Sequence, residues 1–211
     1  MSNRTRGAPT ERFGVVMWRR SRGSATPTDV VVVCTGNYCR SPLAEALLRT
    51  RLPAEITVGS VGTVAFDAPG PHIEVQQILE REGFDHASIS RLRPRKIKSA
   101  DIAGASLILT AEADHRREVV QIVPTAANRT FTLREFSRLV VNVVPDGETP
   151  RERLENLVRM AAERLTLEPE SDFDDDIPDP MGMATRHFEN CYEQINDSLA
   201  WVGLVELAQR G

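Results

Sequence analysis

The chain alternates short, unbroken apolar runs with stretches of helical periodicity. Asp29 is followed by four valines and Cys34, and Leu107-Ile108-Leu109 is a second run of the same kind. Apolar runs without polar alternation are typical of strands buried on both faces, as in parallel sheets. Two weaker runs, at residues 56–58 and 129–133, complete a predicted set of four strands.

Segments with helical spacing follow the predicted strands. Ser41 suits the N-cap and Pro42 the first position of a helix that runs to about Leu52, before Pro53. Further helices are predicted at residues 72–82, 112–122, most of 136–167 and 183–209. Strands that alternate with helices predict an α/β fold, with a doubly wound, four-stranded parallel sheet and helices on both faces.

The first 28 residues differ in composition from the rest. They carry six arginines interspersed with Gly, Ser, Thr and Pro, which is typical of a flexible basic tail. We therefore assign the folded domain to residues 29–211, with a helical insertion at about 142–167.

Composition narrows the class of protein. Hydrophobic residues make up 41% of the chain and charged residues 27%, an ordinary balance for a soluble globular protein. The net charge of −4 does not indicate a nucleic-acid partner, and no apolar run approaches the ~20 residues of a membrane span. Without a recognisable export signal, the three cysteines argue against a disulfide framework. We expect a cytoplasmic protein, and the spacing of the histidines suggests no metal or other cofactor.

One segment concentrates reactive and anion-binding residues between the first strand and its helix. It contains Cys34 and then Thr35, Gly36, Asn37, Tyr38, Cys39, Arg40 and Ser41. A loop that precedes a helix can point successive backbone N–H groups inward, and so form a phosphate-binding loop. Gly36 and Asn37 tolerate the unusual backbone angles that such a turn needs. Ligands of open α/β sheets bind at the carboxyl ends of the strands, where Cys34 lies.

The residue types of this loop predict a reaction with a phosphate monoester. The helix N-terminus and Arg40 favour the thiolate of Cys34, and the Ser41 hydroxyl can donate to that sulfur. The guanidinium of Arg40 can hold two phosphate oxygens at once. We therefore predict an in-line attack by Cys34 that gives a cysteinyl-phosphate intermediate.

The segment from Val33 to Glu45 resembles the active-site segment of the low-molecular-weight protein-tyrosine phosphatases, and residues 59–63 are similar to that family's second-strand motif. The resemblance implies a flavodoxin-like fold and hydrolysis of phosphotyrosine in phosphorylated proteins. It also implies that the general acid is the aspartate of a late Asp-Pro pair, here Asp179-Pro180. Asp176 is an alternative acid in the same acidic segment. Many relatives place aromatic residues after Asp-Pro, whereas this chain has Met181-Gly182-Met183.

The resemblance leaves alternatives open at several positions. Relatives specific for phosphoarginine have Thr where this chain has Tyr38, which weighs against an arginine phosphatase. Phe66 is expected either in the substrate cleft or in the core, and Cys39 either in a reversible disulfide with Cys34 or packed behind the loop. Cys191 is expected to be structural. An arsenate reductase and a non-catalytic phosphopeptide-binding module are the competing functions, because both could use the same anion-binding loop.

Overall fold

A parallel sheet forms the centre of the structure, a computed structural model that describes residues 28–168 and 174–206. Its strands are β1 (Val30–Cys34), β2 (Val58–Gly62), β3 (Leu107–Thr110) and β4 (Thr130–Thr132). Their order in the described sheet is β2-β1-β3-β4, and all three pairs are parallel. The predicted doubly wound α/β class is therefore confirmed, with four strands in the described sheet, although β2 continues to Gly62 where turns were predicted after Val58.

Alternate residues of β1 enter two separate cores, one on each face of the sheet. Val30 and Val32 belong to the larger hydrophobic cluster, whereas Val31 and Val33 belong to the smaller one. Successive side chains of a strand point to opposite faces, so a central strand with helices on both sides needs apolar residues at every position. The unbroken valine run is thus explained by burial on both faces.

Helices cover both faces of the sheet. Those contributing to the larger core are α1 (Arg40–Arg51), α2 (Ile73–Arg81), α3 (His86–Ile89), α6 (Leu133–Leu139), α7 (Pro150–Leu167), α8 (Thr185–Asp197) and α9 (Val202–Glu206). The smaller core is closed by α4 (Ser99–Ala103), α5 (Ala113–Ile122) and a 3₁₀ turn, Pro124–Arg129. No described helix is long and apolar enough to cross a membrane.

Two predicted helix boundaries were wrong. Helix α1 begins at Arg40 with Cys39 as its N-cap, so Ser41 lies inside the first turn, where its hydroxyl is directed at Cys34. The helix predicted over 183–209 is interrupted within its described part, because α8 ends at Asp197 and α9 starts at Val202. The interruption places Trp201 edge-on against Phe136, with ring centroids 5.2 Å apart, and only 2% of its surface is exposed.

The start of α7 agrees with the sequence prediction. Thr149 caps the helix by accepting a hydrogen bond from the backbone N–H of Glu152 at 3.2 Å, and Pro150 is the first helical residue. The Thr149 N–H donates to the Glu152 carboxylate at 3.0 Å, which completes a capping box. Residues 140–149 before it are not helical. The predicted basic tail lies outside the described residues except for Thr28.

The strand order defines where a ligand can bind. In the order β2-β1-β3-β4 the connections leave β1 and β3 in opposite directions, so the crevice of the sheet opens between the carboxyl ends of these two strands. Cys34 is the last residue of β1, and Glu112 follows β3 by two positions.

Candidate active site

The loop after β1 contains backbone N–H groups that have no acceptor among the described residues. The carbonyls of Cys34, Thr35, Gly36 and Tyr38 accept hydrogen bonds from residues outside the loop, at 2.9–3.2 Å. Within the described part of the chain, the N–H groups of residues 36–39 donate to no acceptor. Outward carbonyls and inward amides, placed before the N-terminus of α1, make a cradle for an anion.

Asn37 holds the left-handed turn of this loop. Its φ of 49° is in the region that non-glycine residues rarely adopt. The side-chain amide donates to Ser41 Oγ at 2.9 Å and to Ser60 Oγ at 2.7 Å, and its oxygen accepts from the N–H of Arg95 at 2.9 Å. Since three fixed partners hold the side chain, the strained backbone is retained. The prediction that Asn37 takes an unusual conformation is confirmed.

Two glycines allow the loop to pack closely, rather than to turn. The ring of Phe66 lies 2.4 Å from where a side chain at Gly36 would begin. A Cβ at Gly62, in β2, would lie 2.6 Å from the Thr35 carbonyl oxygen and 2.7 Å from the Asn37 nitrogen. Gly36 does not have a positive φ, so the expected conformational reason for this glycine was wrong, and close approach of an aromatic ring replaces it.

Cys34 lies at the floor of the cradle with 2% of its surface exposed. Its sulfur is 3.0 Å from Ser41 Oγ, which in turn accepts from Asn37. The hydroxyl proton of Ser41 has two acceptors, the sulfur and the Val61 carbonyl at 3.4 Å, and the sulfur is the nearer of the two. Burial raises the pKa of the Cys39 thiol far above its usual range and that of Cys191 to about 12, so both remain protonated thiols at neutral pH.

Behind the cradle, a chain of hydrogen bonds leads from Asn37 to a buried carboxyl group. Ser60 Oγ accepts from Asn37 and donates to Glu45 at 2.6 Å. Burial raises the pKa of Glu45, and the ion pair with Arg49 at 2.8 Å opposes this effect. The conformation of the phosphate-binding loop thus depends on a carboxyl group on α1 and a hydroxyl group on β2.

Arg40 is the largest of the fully buried side chains, and its terminal nitrogens are fully engaged. Nη1 donates to the carbonyl of Ile177 at 2.9 Å and to the carboxylate of Glu112. Nη2 donates to Thr35 Oγ1 at 3.3 Å and to Asp179 Oδ2 at 2.8 Å. Four partners from three segments of the chain therefore fix the plane of the guanidinium beside the cradle.

Of the acidic residues predicted as candidates, Asp179 is the one that reaches the loop. Its carboxylate pairs with Arg40, and 39% of the side chain remains exposed at the mouth of the crevice. Asp176, the alternative acid, accepts a hydrogen bond from the N–H of Ala113 at 2.7 Å and so caps α5. Asp175 pairs with Arg138 at 3.0 Å, and Asp172 lies outside the described residues.

Aromatic rings form one rim of the crevice. Tyr38 contacts Phe66 and His72, with ring centroids 5.3 and 5.4 Å away. His72 stacks on Phe188 at 4.7 Å. Phe66 is 49% exposed, which favours its cleft position over the core position. Met181 and Met183, exposed by 36% and 53%, follow Asp179 on the other side.

Sequence reasoning missed Glu112 and His115. Glu112 pairs with Arg40, and His115 Nε2 lies 2.8 Å from Thr35 Oγ1. Both residues follow β3 directly. Because carboxyl ends of neighbouring parallel strands meet at one edge of the sheet, their position after a buried strand was the available signal.

Comparison with known proteins identifies the family. The sequence profile described as low molecular weight phosphotyrosine protein phosphatase matches residues 29–146, so α7 lies beyond the matched region. A protein-arginine-phosphatase of Geobacillus stearothermophilus is 29% identical over 150 residues, covering 67% of this chain and 99% of the relative. A low molecular weight protein-tyrosine-phosphatase, PtpA of Staphylococcus haemolyticus, is 35% identical over 125 residues, covering 56% of this chain and 77% of the relative.

A solved structure of an arginine phosphatase has a similar fold. The YwlE arginine phosphatase from Geobacillus stearothermophilus superimposes with a TM-score of 0.58 at 25% identity, covering 82% of this chain and 88% of that one. The matched residues include the loop, both central strands and the Glu112–His115 segment. The chain belongs to the low-molecular-weight phosphotyrosine protein phosphatase family.

Proposed function

We propose that the protein hydrolyses phosphotyrosine-type monoesters in phosphorylated proteins, with Cys34 as nucleophile. One observation supports the proposal: Cys34 begins a loop whose amides have no acceptor among the described residues, and Arg40, at the end of that loop, is paired with Asp179. Nucleophile, anion cradle, cation and proton donor thus meet at one point. Membership of a phosphatase family is consistent with this use of the site.

In the first step the Cys34 thiolate attacks phosphorus, and the bond from phosphorus to the leaving oxygen breaks. The amides of residues 36–39 and Arg40 stabilise the equatorial oxygens of the transferring group, as the Ser41 hydroxyl stabilises the thiolate. Asp179 turns from Arg40 as the substrate phosphate enters, takes up a proton from solvent, and gives that proton to the departing phenolate oxygen. The products are a cysteinyl-phosphate and a free phenol.

In the second step water attacks the cysteinyl-phosphate. Asp179, now a carboxylate, accepts a proton from this water, and the sulfur–phosphorus bond breaks to release inorganic phosphate and the Cys34 thiolate. Ser41 donates to the sulfur as it leaves, since the two atoms are 3.0 Å apart in the resting site. Cys39 and Cys191 take no part, because burial raises the pKa of each thiol.

The aromatic rim supports an aryl rather than an alkyl phosphate. The rings of Tyr38 and Phe66 lie at the mouth of the crevice, where a phenol ring can stack on them at a gain of ~1 kcal/mol. An arginine phosphatase is the second candidate, since a relative of that name matches over nearly its full length. Tyr38 weighs against the second candidate, because relatives specific for phosphoarginine have Thr at this loop position.

Hydrolysis of an aryl phosphate tests the proposal. We expect turnover by the wild type in the presence of a chelator, none by Cys34→Ser, and normal turnover by Cys191→Ala, which controls for loss of a buried cysteine. Peptides carrying phosphotyrosine, phosphoserine or phosphoarginine then define the substrate class. A preference for phosphoarginine that Tyr38→Thr strengthens would establish the second candidate in place of the first. Absence of aryl phosphate turnover by folded wild type contradicts the proposed function. A cytoplasmic location stays a prediction.

A further inference from the structure

Behind Arg40, four side chains form a closed circuit of polar contacts. Arg40 donates to Glu112 through Nη1 and to Thr35 Oγ1 through Nη2, the latter at 3.3 Å. Thr35 Oγ1 is 2.8 Å from His115 Nε2, and His115 Nδ1 is 3.6 Å from Glu112 Oε2. His115 is 3% exposed.

The contacts select one tautomer of His115. Nδ1 is buried, makes no hydrogen bond within the described residues and faces the Glu112 carboxylate. If Nδ1 carried a lone pair, the carboxylate of Glu112 would repel it. If Nδ1 carries the proton, the carboxylate attracts the N–H. With the proton on Nδ1, Nε2 is an acceptor, so the Thr35 hydroxyl donates to it. Thr35 Oγ1 then uses a lone pair for Arg40, and every group in the circuit has one compatible role.

Charges from several elements surround the imidazole. Glu112, Arg40, Glu118 and Asp176 act on it electrostatically. Burial lowers the pKa of His115, and this effect exceeds that of the nearby carboxylates. The neutral imidazole that the circuit requires is therefore the form present at neutral pH. Protonation would turn Nε2 into a donor and force the Thr35 hydroxyl to reorient.

We propose that His115 is a positioning residue for phosphoryl transfer, which holds Arg40 through Thr35 and Glu112 in the orientation that receives the phosphoryl group. The inference rests on the proposed function. Arg40 must release Asp179 when an anion enters, and Nη2 is then held by Thr35 alone. The orientation of Thr35 is fixed by His115, so the imidazole acts at a distance on the guanidinium.

Kinetics of paired variants test this role. His115→Leu removes both contacts and Thr35→Val removes the hydroxyl. We expect each to lower kcat for an aryl phosphate by about tenfold to a hundredfold, as loss of a hydrogen bond to a charged group would, and to raise KM by up to about tenfold. Because both break the same circuit, the double variant should be no slower than the worse single one. His115→Gln, whose amide reaches toward Thr35, should recover part of the rate. His86→Gln, at the exposed first residue of α3, is the control and should match the wild type.

Two readouts separate this inference from the proposed function. The first is nitrogen-15 NMR of the wild type, which should find the His115 proton on Nδ1 at pH 7. The second is binding of inorganic phosphate, which should be about tenfold weaker for folded His115→Leu than for wild type, because the contact from Arg40 to phosphate is a charged hydrogen bond. A proton on Nε2, additive losses in the double variant, or unchanged phosphate binding overturns the inference. If His115→Leu does not fold, His115→Gln and Thr35→Val decide by the same readouts. A wild type that binds phosphate but does not turn over aryl phosphate refutes the proposed function alone.

Discussion

Replacement of Asp179 by Asn should weaken catalysis and strengthen binding of inorganic phosphate. The Asp179 carboxylate lies 2.8 Å from Arg40 Nη2, the nitrogen that a bound phosphate would also contact. Carboxylate and phosphorus would then be about 5 Å apart, where two unit charges repel by ~3 kcal/mol at an effective dielectric constant of about 20. Solvent reaches 39% of the Asp179 side chain, so we discount this repulsion to ~1.4 kcal/mol, or about tenfold in affinity.

Isothermal titration with phosphate measures this gain directly. We expect about tenfold tighter binding to Asp179→Asn than to wild type at low salt, and a smaller difference at high salt because ions screen the removed charge. Turnover of an aryl phosphate should fall by about 10²–10⁴-fold through loss of the proton donor. Asp174→Asn, which removes one exposed carboxylate from the same segment, should change neither quantity. Phosphate affinity that is unchanged or weaker in folded Asp179→Asn would refute the reasoning.

Three further predictions concern the support of the site and the fold. Gly62→Ala should abolish aryl phosphate turnover, because its Cβ would lie 2.6 Å from the Thr35 carbonyl oxygen, whereas Gly70→Ala meets nothing within 4 Å and should remain active; equal activity of the two contradicts this. Burial raises the pKa of Glu45 above its usual 4.5, so the folded protein retains a proton that the unfolded chain releases. The free energy of unfolding should therefore fall, relative to that of Glu45→Gln, as the pH rises from about 4.5 through the folded pKa. If urea melts give the wild type and Glu45→Gln the same dependence of unfolding free energy on pH, this prediction is wrong. Thr149→Ala removes the α7 cap and should cost about 1 kcal/mol in the same melts without changing kcat; a loss of turnover would tie α7 to the site.

The loop chemistry was readable from sequence because its parts are adjacent in the chain. Cys34, Arg40 and the residues between them are held by one strand and one helix, so local rules place them together. Asp179 was found only through the resemblance to a family. Its partner Arg40 is 139 positions away. The sequence of residues 172–179 does not show which of its carboxylates reaches Arg40, whereas in the structure Asp176 instead caps α5.

The errors have tertiary causes. Ser41-Pro42 satisfies the local rules for a helix start, but the Ser41 hydroxyl is directed at Cys34 instead of a backbone N–H, and the helix begins one residue earlier. The apolar spacing of the last predicted helix continues past Asp197. The helix nevertheless ends there, because Trp201 packs edge-on against Phe136 of α6. The local sequence does not predict this contact.

The distance along the chain between Arg40 and Asp179 has a consequence for synthesis. At about 5–20 residues per second, the 139 residues between them take roughly 7–28 s to translate. During that interval a nascent chain carries the nucleophile but no proton donor, and Glu112 and His115 are absent for part of it. A nascent chain that ends before Asp179 therefore lacks the proposed proton donor, and it also lacks α8 and α9, two helices of the larger core.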